Sequence, residues 1–251
     1  MHFEEKKTRF GGHETFALRY SWLTKGYQEF LKNPSVFSDE NATVTLGVGV
    51  NMVHSIKFWL QACQIIKADP KDFTLSTTEI GRLIFDEKDG FDPYLEDEAT
   101  IWLIHWLIAS NPQIATAFFW FFNNFHKQEF SQDEATTSLT DFVTQNISRK
   151  ISKNTLKNDI SAILRMYGRS TSNKKGVVVE EALDSPLVLL QLISPSMIGT
   201  ILTISITLII PSWNTSAAQR ASSLNGTISK IWFKTSITSS TLTNPSKLTS
   251  A

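Results

Sequence analysis

The sequence predicts a mostly α protein with short β segments: a helical bundle containing two helix-turn-helix, winged-helix-like units. Three observations carry that reading. Apolar residues recur at spacings of three and four through much of residues 14–167, the period of a helix with one buried face. Two stretches, 43–85 and 131–169, each place a helix with a polar, partly basic outer face after a short turn. Seven Trp and 17 Phe supply the apolar area that a packed core needs and a disordered chain lacks.

The 251 residues suffice for one large domain or two small ones, and the formal net charge is zero. A single cysteine, Cys63, excludes an internal disulfide framework and a cysteine-rich zinc site, and it fits a cytoplasmic protein. The opening MHFEEKKTRF is charged and leads into no apolar run, so it does not read as a signal peptide.

In order along the chain, residues 14–32 predict a first helix, with Phe16, Tyr20, Leu23, Tyr27, Phe30 and Leu31 on its inner stripe, stopped by Asn33-Pro34. Residues 43–85 read as a lead-in, a turn at Gly47 and Gly49, a helix from about Asn51 to Ile65, a polar turn, extended FTLS, and a helix starting near Thr77. Helix, hairpin-like segment, helix is a winged helix-turn-helix order. Asn51, His54, Ser55, Lys57 and Gln61 form the outer face of its first helix, and Asn51, His54 and Lys57 are candidate DNA contacts.

Asp92-Pro93 marks a turn before a strongly apolar helix from Ile101 to Ala109, in which His105 reads as a satisfied core histidine. Residues 112–126, PQIATAFFWFFNNFH, read as core, because a base-stacking surface interleaves basic residues with its aromatics and none occurs before Lys127. Ser131 and Glu134 have capping-box spacing. Ser152 then caps a helix with Leu156, Ile160, Ile163, Leu164 and Tyr167 inside. Lys153, Asn154, Thr155, Lys157 and Asn158 stand where a recognition helix presents phosphate-contacting and base-reading side chains. Arg165 and Arg169 extend this candidate DNA-binding set. From Arg149 to Lys175 the local charge is +7, with Asp159 the one acid, an electrostatic footprint suited to nucleic acid.

His13-Glu14, in FGGHETFALRYSW, raises the question of a metal or catalytic site. A zinc-protease pair needs a second His four residues on, and position 17 is Ala. The residues therefore read as structural, Gly11 and Gly12 allowing a tight approach to the first helix and Glu14 lying in its first turn. Seven acids between Asp86 and Glu98 lack the D-x-D-x-D-G calcium pattern, and acids at a helix N-terminus are favoured by the dipole. No catalytic residue, metal or cofactor is expected. The alternatives are a metal-dependent nuclease or nucleotide-handling enzyme, which needs His13 and Glu14 to converge with the acids at 92–98, and a protein-interaction subunit that does not bind DNA. GVGVNM lacks the Lys-Ser/Thr of a phosphate-binding loop.

GHETFALRYSWLTKGY, LGVGVNMVHSIKFW, TEIGRLIF, FDPYLEDEATIWLIHWLIASNP and ISKNTLKNDISAILRMY occur in that order, and over about residues 10–195 the chain resembles the bacterial family catalogued as domain of unknown function 4007. The resemblance implies a bacterial cytoplasmic protein encoded beside phosphoadenosine-phosphosulfate-reductase-like proteins and DNA modification or defence genes. It implies no established catalytic residues. Expected partners are double-stranded DNA and proteins of such a system, with no membrane.

The expected division is 1–128, an N-terminal helical region holding the first helix-turn-helix-like unit; 129–195, the second; and 196–251, an atypical Ser/Thr-rich tail. All acids lie at or before Asp184, so residues 1–184 carry −4 and the remainder +4. The uncharged stretch 187–210 contains Pro195 and lacks an aromatic belt or basic flank, which argues against a membrane span. A disordered tail and a reading frame shifted near Ser196 both fit the abrupt change in composition.

Overall fold

Helix α1 (Tyr20–Lys32) buries Trp22, Leu23, Tyr27 and Phe30 along one face. Gly26 on that face brings it close to α3 (Val50–Ala62): a Cβ there would meet Ile56 Cγ2 at 2.6 Å and Leu60 Cδ1 at 2.9 Å. The computed structural model describes residues 7–168, 185–195 and 202–204. The first helix begins six residues later than its periodicity predicts, because Glu14 and Thr15 take left-handed backbone angles (φ 49° and 67°) that no α-helix admits. Leu31, expected inside, is 47% exposed, and the buried face of α1 runs through Leu23, Gly26, Tyr27 and Phe30.

The expected lead-in to α3 is itself helical, α2 (Ala42–Leu46), and ends at Gly47 in the left-handed conformation that glycine adopts without penalty. After α3 come two antiparallel strands, β1 (Ile66–Ala68) and β2 (Leu75–Thr77), in register Ile66↔Thr77 and Ala68↔Leu75. Helix α3 stops at Ala62, short of the expected Ile65, with Gln64 left-handed at φ 57°. Thr78 caps α4 (Glu79–Phe85), accepting from the Gly81 amide at 3.0 Å and donating to the carbonyls of Gln64 and Ile65. Ser55, assigned by the sequence to the outer face of α3, is fully buried instead.

Helices α5 (Glu98–Ala109) and α6 (Thr116–Asn123) pack on one another and carry the aromatic centre. Phe118 and Phe121 are buried, and Phe121 meets Phe125 and Phe130 with ring centroids 5.4 and 5.7 Å apart. His105 lies among Trp102, Phe122 and Tyr167, with Nδ1 2.9 Å from the Tyr167 hydroxyl. That burial pushes its pKa down to about 4, so the imidazole is neutral in the folded chain. Between the unfolded value of about 6.5 and the folded value of about 4 the unfolded chain binds a proton that the folded chain refuses, so His105 removes stability as pH falls through that window and returns it as pH rises. His105→Gln is expected to shrink the drop in melting temperature between about pH 7 and about pH 4.5 relative to the parent. An equal drop in both proteins would contradict that assignment.

Strand β3 (Glu129–Phe130) leads into α7 (Gln132–Asn146), opened by the full capping box of Ser131 and Glu134. A six-residue connection, 147–152, joins it to α8 (Lys153–Tyr167), which packs along α7 and against α6. Ser152 caps α8, and Leu156, Ile160, Ile163 and Tyr167 are buried as their spacing predicts. A 3-10 turn (Pro186–Leu190) lies on α5 and α8 and precedes β4 (Ile193–Pro195). With β5 (Leu202–Ile204) these strands form an antiparallel sheet ordered β3-β5-β4. The chain is thus mostly helical with a few short strands, and one core runs from Leu18 to Ile193. Arg169 and nearly all of the tail, with its reading-frame question, fall outside the described residues. Among the described residues no helix is long and apolar enough to cross a membrane.

Candidate nucleic-acid interface

The segment FGGHET lies lengthwise along α8. Arg149 donates to the Thr8 carbonyl at 3.1 Å, the Gly11 amide donates to Asp159 at 2.9 Å, and Arg165 donates to the Thr15 carbonyl. Between these anchors His13 Nε2 stands 2.6 Å from Asp159 Oδ1, both residues being buried. The carboxylate accepts, so Nε2 donates, and Nδ1 is buried without a hydrogen-bond partner among the described residues. The ring sits among Phe58, Trp59 and Phe118, with Trp59 stacked at 6.2 Å. Trp59 Nε1 donates to the Phe16 carbonyl at 3.2 Å, and the Arg9 amide donates to Thr116 on α6 at 2.9 Å. Gly12 is required by close approach, since a Cβ would lie 2.6 Å from the Phe58 ring. This segment therefore fastens α3, α6 and α8 together, with His13 buried among its anchors.

The arrangement sorts the charges of α8. Asp159, its one acid, is turned inward and 2% exposed. Lys153, Asn154 and Lys157 are exposed and Asn158 is half-buried. Among the described residues neither lysine makes an ion pair. Thr155 is half-buried, bonded through its hydroxyl to Ser152 at 2.9 Å and packed against Gly11. Arg165 is exposed but occupied with the Thr15 carbonyl. On α3, Asn51 and His54 are exposed and Lys57 is half-buried.

Residue-type counting along the basic block noted Asp159 only as its one acid and gave it no role. A signal was present: the acid falls on the inward spacing of α8, between Leu156 and Ile163, where an unpaired carboxylate would be costly. Of the acids near 92, Asp92 is buried and accepts from the amides of Glu96 and Asp97 at 2.8 and 3.1 Å, while Asp97 caps α5. Asp86 accepts from the amides of Lys88 and Asp89, and those bonds hold its carboxyl below the usual range. None of them is a hydrogen-bond partner of His13, and among the described residues no group of three or more His, Cys, Asp or Glu is placed to hold a metal ion.

Fold and surface together define a mostly helical protein with, among the described residues, two small antiparallel sheets and an outward basic helix face. The chain belongs to the family described as protein of unknown function (DUF4007), whose profile matches residues 10–207. Among solved structures it is similar to magnesium ion-bound SspB, with a TM-score of 0.70 and 26% identity over 80% of this chain and 61% of that one. A second SspB crystal structure gives 0.69 and 28% over 78% and 59%. The chain thus spans about three-fifths of the length of those proteins. No curated protein matches it.

Proposed function

We propose that the chain binds duplex DNA through the N-terminal half of α8 as an accessory of a DNA modification or defence system. In that setting it acts with proteins of the system, such as a phosphoadenosine-phosphosulfate-reductase-like protein. The observation that carries the reading is the inward turn of Asp159, which leaves Lys153 and Lys157 outside with Asn154 and Asn158 beside them. Lysines there neutralise phosphates and amides read base edges. Element order supports the same reading: strand, helix, six-residue connection, helix, 3-10 turn and two strands, with sheet order β3-β5-β4, is compatible with the order of a winged helix-turn-helix unit in which α8 would be the second helix. The series α2, turn, α3, β1, β2 has a related order and offers Asn51, His54 and Lys57 as a second DNA-facing group. Thr155, Arg165 and Arg169 complete the proposed set, Thr155 and Arg165 by tethering the opening segment to α8. The similarity to SspB supports the family of systems rather than the DNA surface itself.

Fluorescence anisotropy of the full chain with a labelled random duplex tests this. Binding is expected to fall steeply with salt. Lys153→Ala with Lys157→Ala should weaken it for every sequence and lower the log–log salt slope by about two, roughly 0.9 for each phosphate that a lysine no longer neutralises. An unchanged slope would remove α8 as the DNA-binding helix. No binding at low salt would leave the exposed helix faces to a protein partner.

A further inference from the structure

A cleft of about 620 Å³ opens between the start of α1, the turn that leads into α5, and the 3-10 turn at Pro186–Leu190. Tyr20, Tyr94, Ile101 and Leu189 give it an apolar lining, and Glu96 and Glu98 are its charged residues. We propose that this cleft docks an arginine-bearing segment of a partner protein. Arginine joins an apolar stem to a planar cation, and the cleft offers a surface to each part. Ile101 and Leu95 are buried in its lining, while Tyr94 and Leu189 stay 65% and 49% exposed, apolar surface that a bound stem would cover. Tyrosine rings attract a guanidinium by cation–π interaction, and carboxylates accept its N–H groups in charge-assisted bonds. Among the described residues no cation lines the cleft, and neither glutamate makes an ion pair. The same two charges repel a nucleic-acid backbone, so charge complementarity selects a basic protein segment.

The lining backbone is set in advance on two sides. Leu95 and Gln191 both line the cleft and both hold left-handed angles, φ 58° and 51°, which side-chain-bearing residues rarely adopt. Asp92 secures the first: its carbonyl accepts from the Leu95 amide at 3.3 Å, and its buried carboxylate accepts from the Glu96 and Asp97 amides. The Val188 carbonyl secures the second, accepting from the Gln191 amide at 3.2 Å. The Asp97 carboxylate is occupied by the Ala99 amide, so Glu96 and Glu98 are the acids that face the cleft. The α5 dipole accounts for an acid at Glu98 but not for the exposed Tyr94 and Leu189 beside it. Strained backbone held at a cleft lowers the ordering cost of docking there.

None of these residues lies on α3 or α8, so the site stands or falls apart from the DNA reading. The test uses two fluorescein-labelled probes at low salt, the peptide Gly-Leu-Arg-Leu-Arg-Gly and the same peptide with citrulline in place of both arginines. Citrulline keeps the shape and the stem and removes the charge. Three full-length proteins are titrated: the parent, Glu96→Gln with Glu98→Gln, and a control, Glu129→Gln with Asp141→Asn. The control loses the same charge at exposed positions that do not line the cleft. The parent is expected to bind the arginine peptide about three- to tenfold more tightly than the citrulline peptide, the worth of two exposed ion pairs. The cleft variant should lose that preference and the control should keep it. Absence of arginine-peptide binding by the parent overturns the proposal. So does equal binding of the two peptides, a preference that survives in the cleft variant, or an equal loss in the control.

Discussion

Asp159→Ala is expected to cost about 3–5 kcal/mol of folding stability, the usual penalty for removing one member of a buried hydrogen-bonded pair. The carboxylate is the shared acceptor of the Gly11 amide and His13 Nε2, with oxygen distances of 2.9 and 2.6 Å. His13 is enclosed, so its donor does not regain water in the folded variant and is left with its desolvation penalty, and the part-buried Gly11 amide loses its acceptor as well. For a chain of this size the loss corresponds to a fall in melting temperature of roughly 6–20 °C. Asp159→Asn retains one carbonyl acceptor and should fall between the parent and the Ala variant. Thermal unfolding followed by circular dichroism checks the order. A melting temperature within about 2 °C of the parent for Asp159→Ala would show that the opening segment is not held by this residue.

Trp59→Ala should be comparably damaging, about 3–5 kcal/mol, because it empties a site that is fully buried. The indole meets Phe58 at 4.9 Å and Phe118 at 5.4 Å and stacks on His13 at 6.2 Å. Its Nε1–H also holds the Phe16 carbonyl. Trp59→Phe separates the two contributions: it refills most of the volume, loses the hydrogen bond, and should cost about 1–3 kcal/mol. Since Trp59 and Asp159 grip the same His13, the double variant should lose less than the sum of the single losses. Urea unfolding of the four proteins measures that coupling, and strict additivity would argue against a shared anchor.

These residues also show where sequence reading succeeds and where it stops. Periodicity located α3, α5 and α8, and the Ser131–Glu134 and Ser152 caps stand at their expected places, because caps and amphipathic faces are decided within a few residues. The same local logic failed at residues 14–19. Phe16 and Tyr20 keep helical spacing, yet the backbone is held out of a helix by partners more than 140 positions away. Ser55 misled for a related reason: its place on the outer face was inferred from polarity, and it is packed inside without a hydrogen-bond partner. The candidate α8 face was legible as a set of residue types. The inward place of Asp159, which gives that face its net charge, was open to reading from its spacing, but its partners Gly11 and His13 lie 148 and 146 positions away and no local pattern encodes that pairing.

The segment fastened along α8 also constrains how the chain is made. Residues 8–15 leave the ribosome well ahead of their partners on and before α8, which follow 141 to 150 residues later. At roughly 5–20 residues per second, that separation amounts to on the order of ten seconds of synthesis. Throughout that interval the Asp159 carboxylate that finally holds Gly11 and His13 has not been made. A late step of maturation is then the return of these early-made residues to a helix near the end of the family domain. A bulky group fused at the amino terminus would delay that return, and chaperones working at the ribosome would have their longest opportunity to bind there.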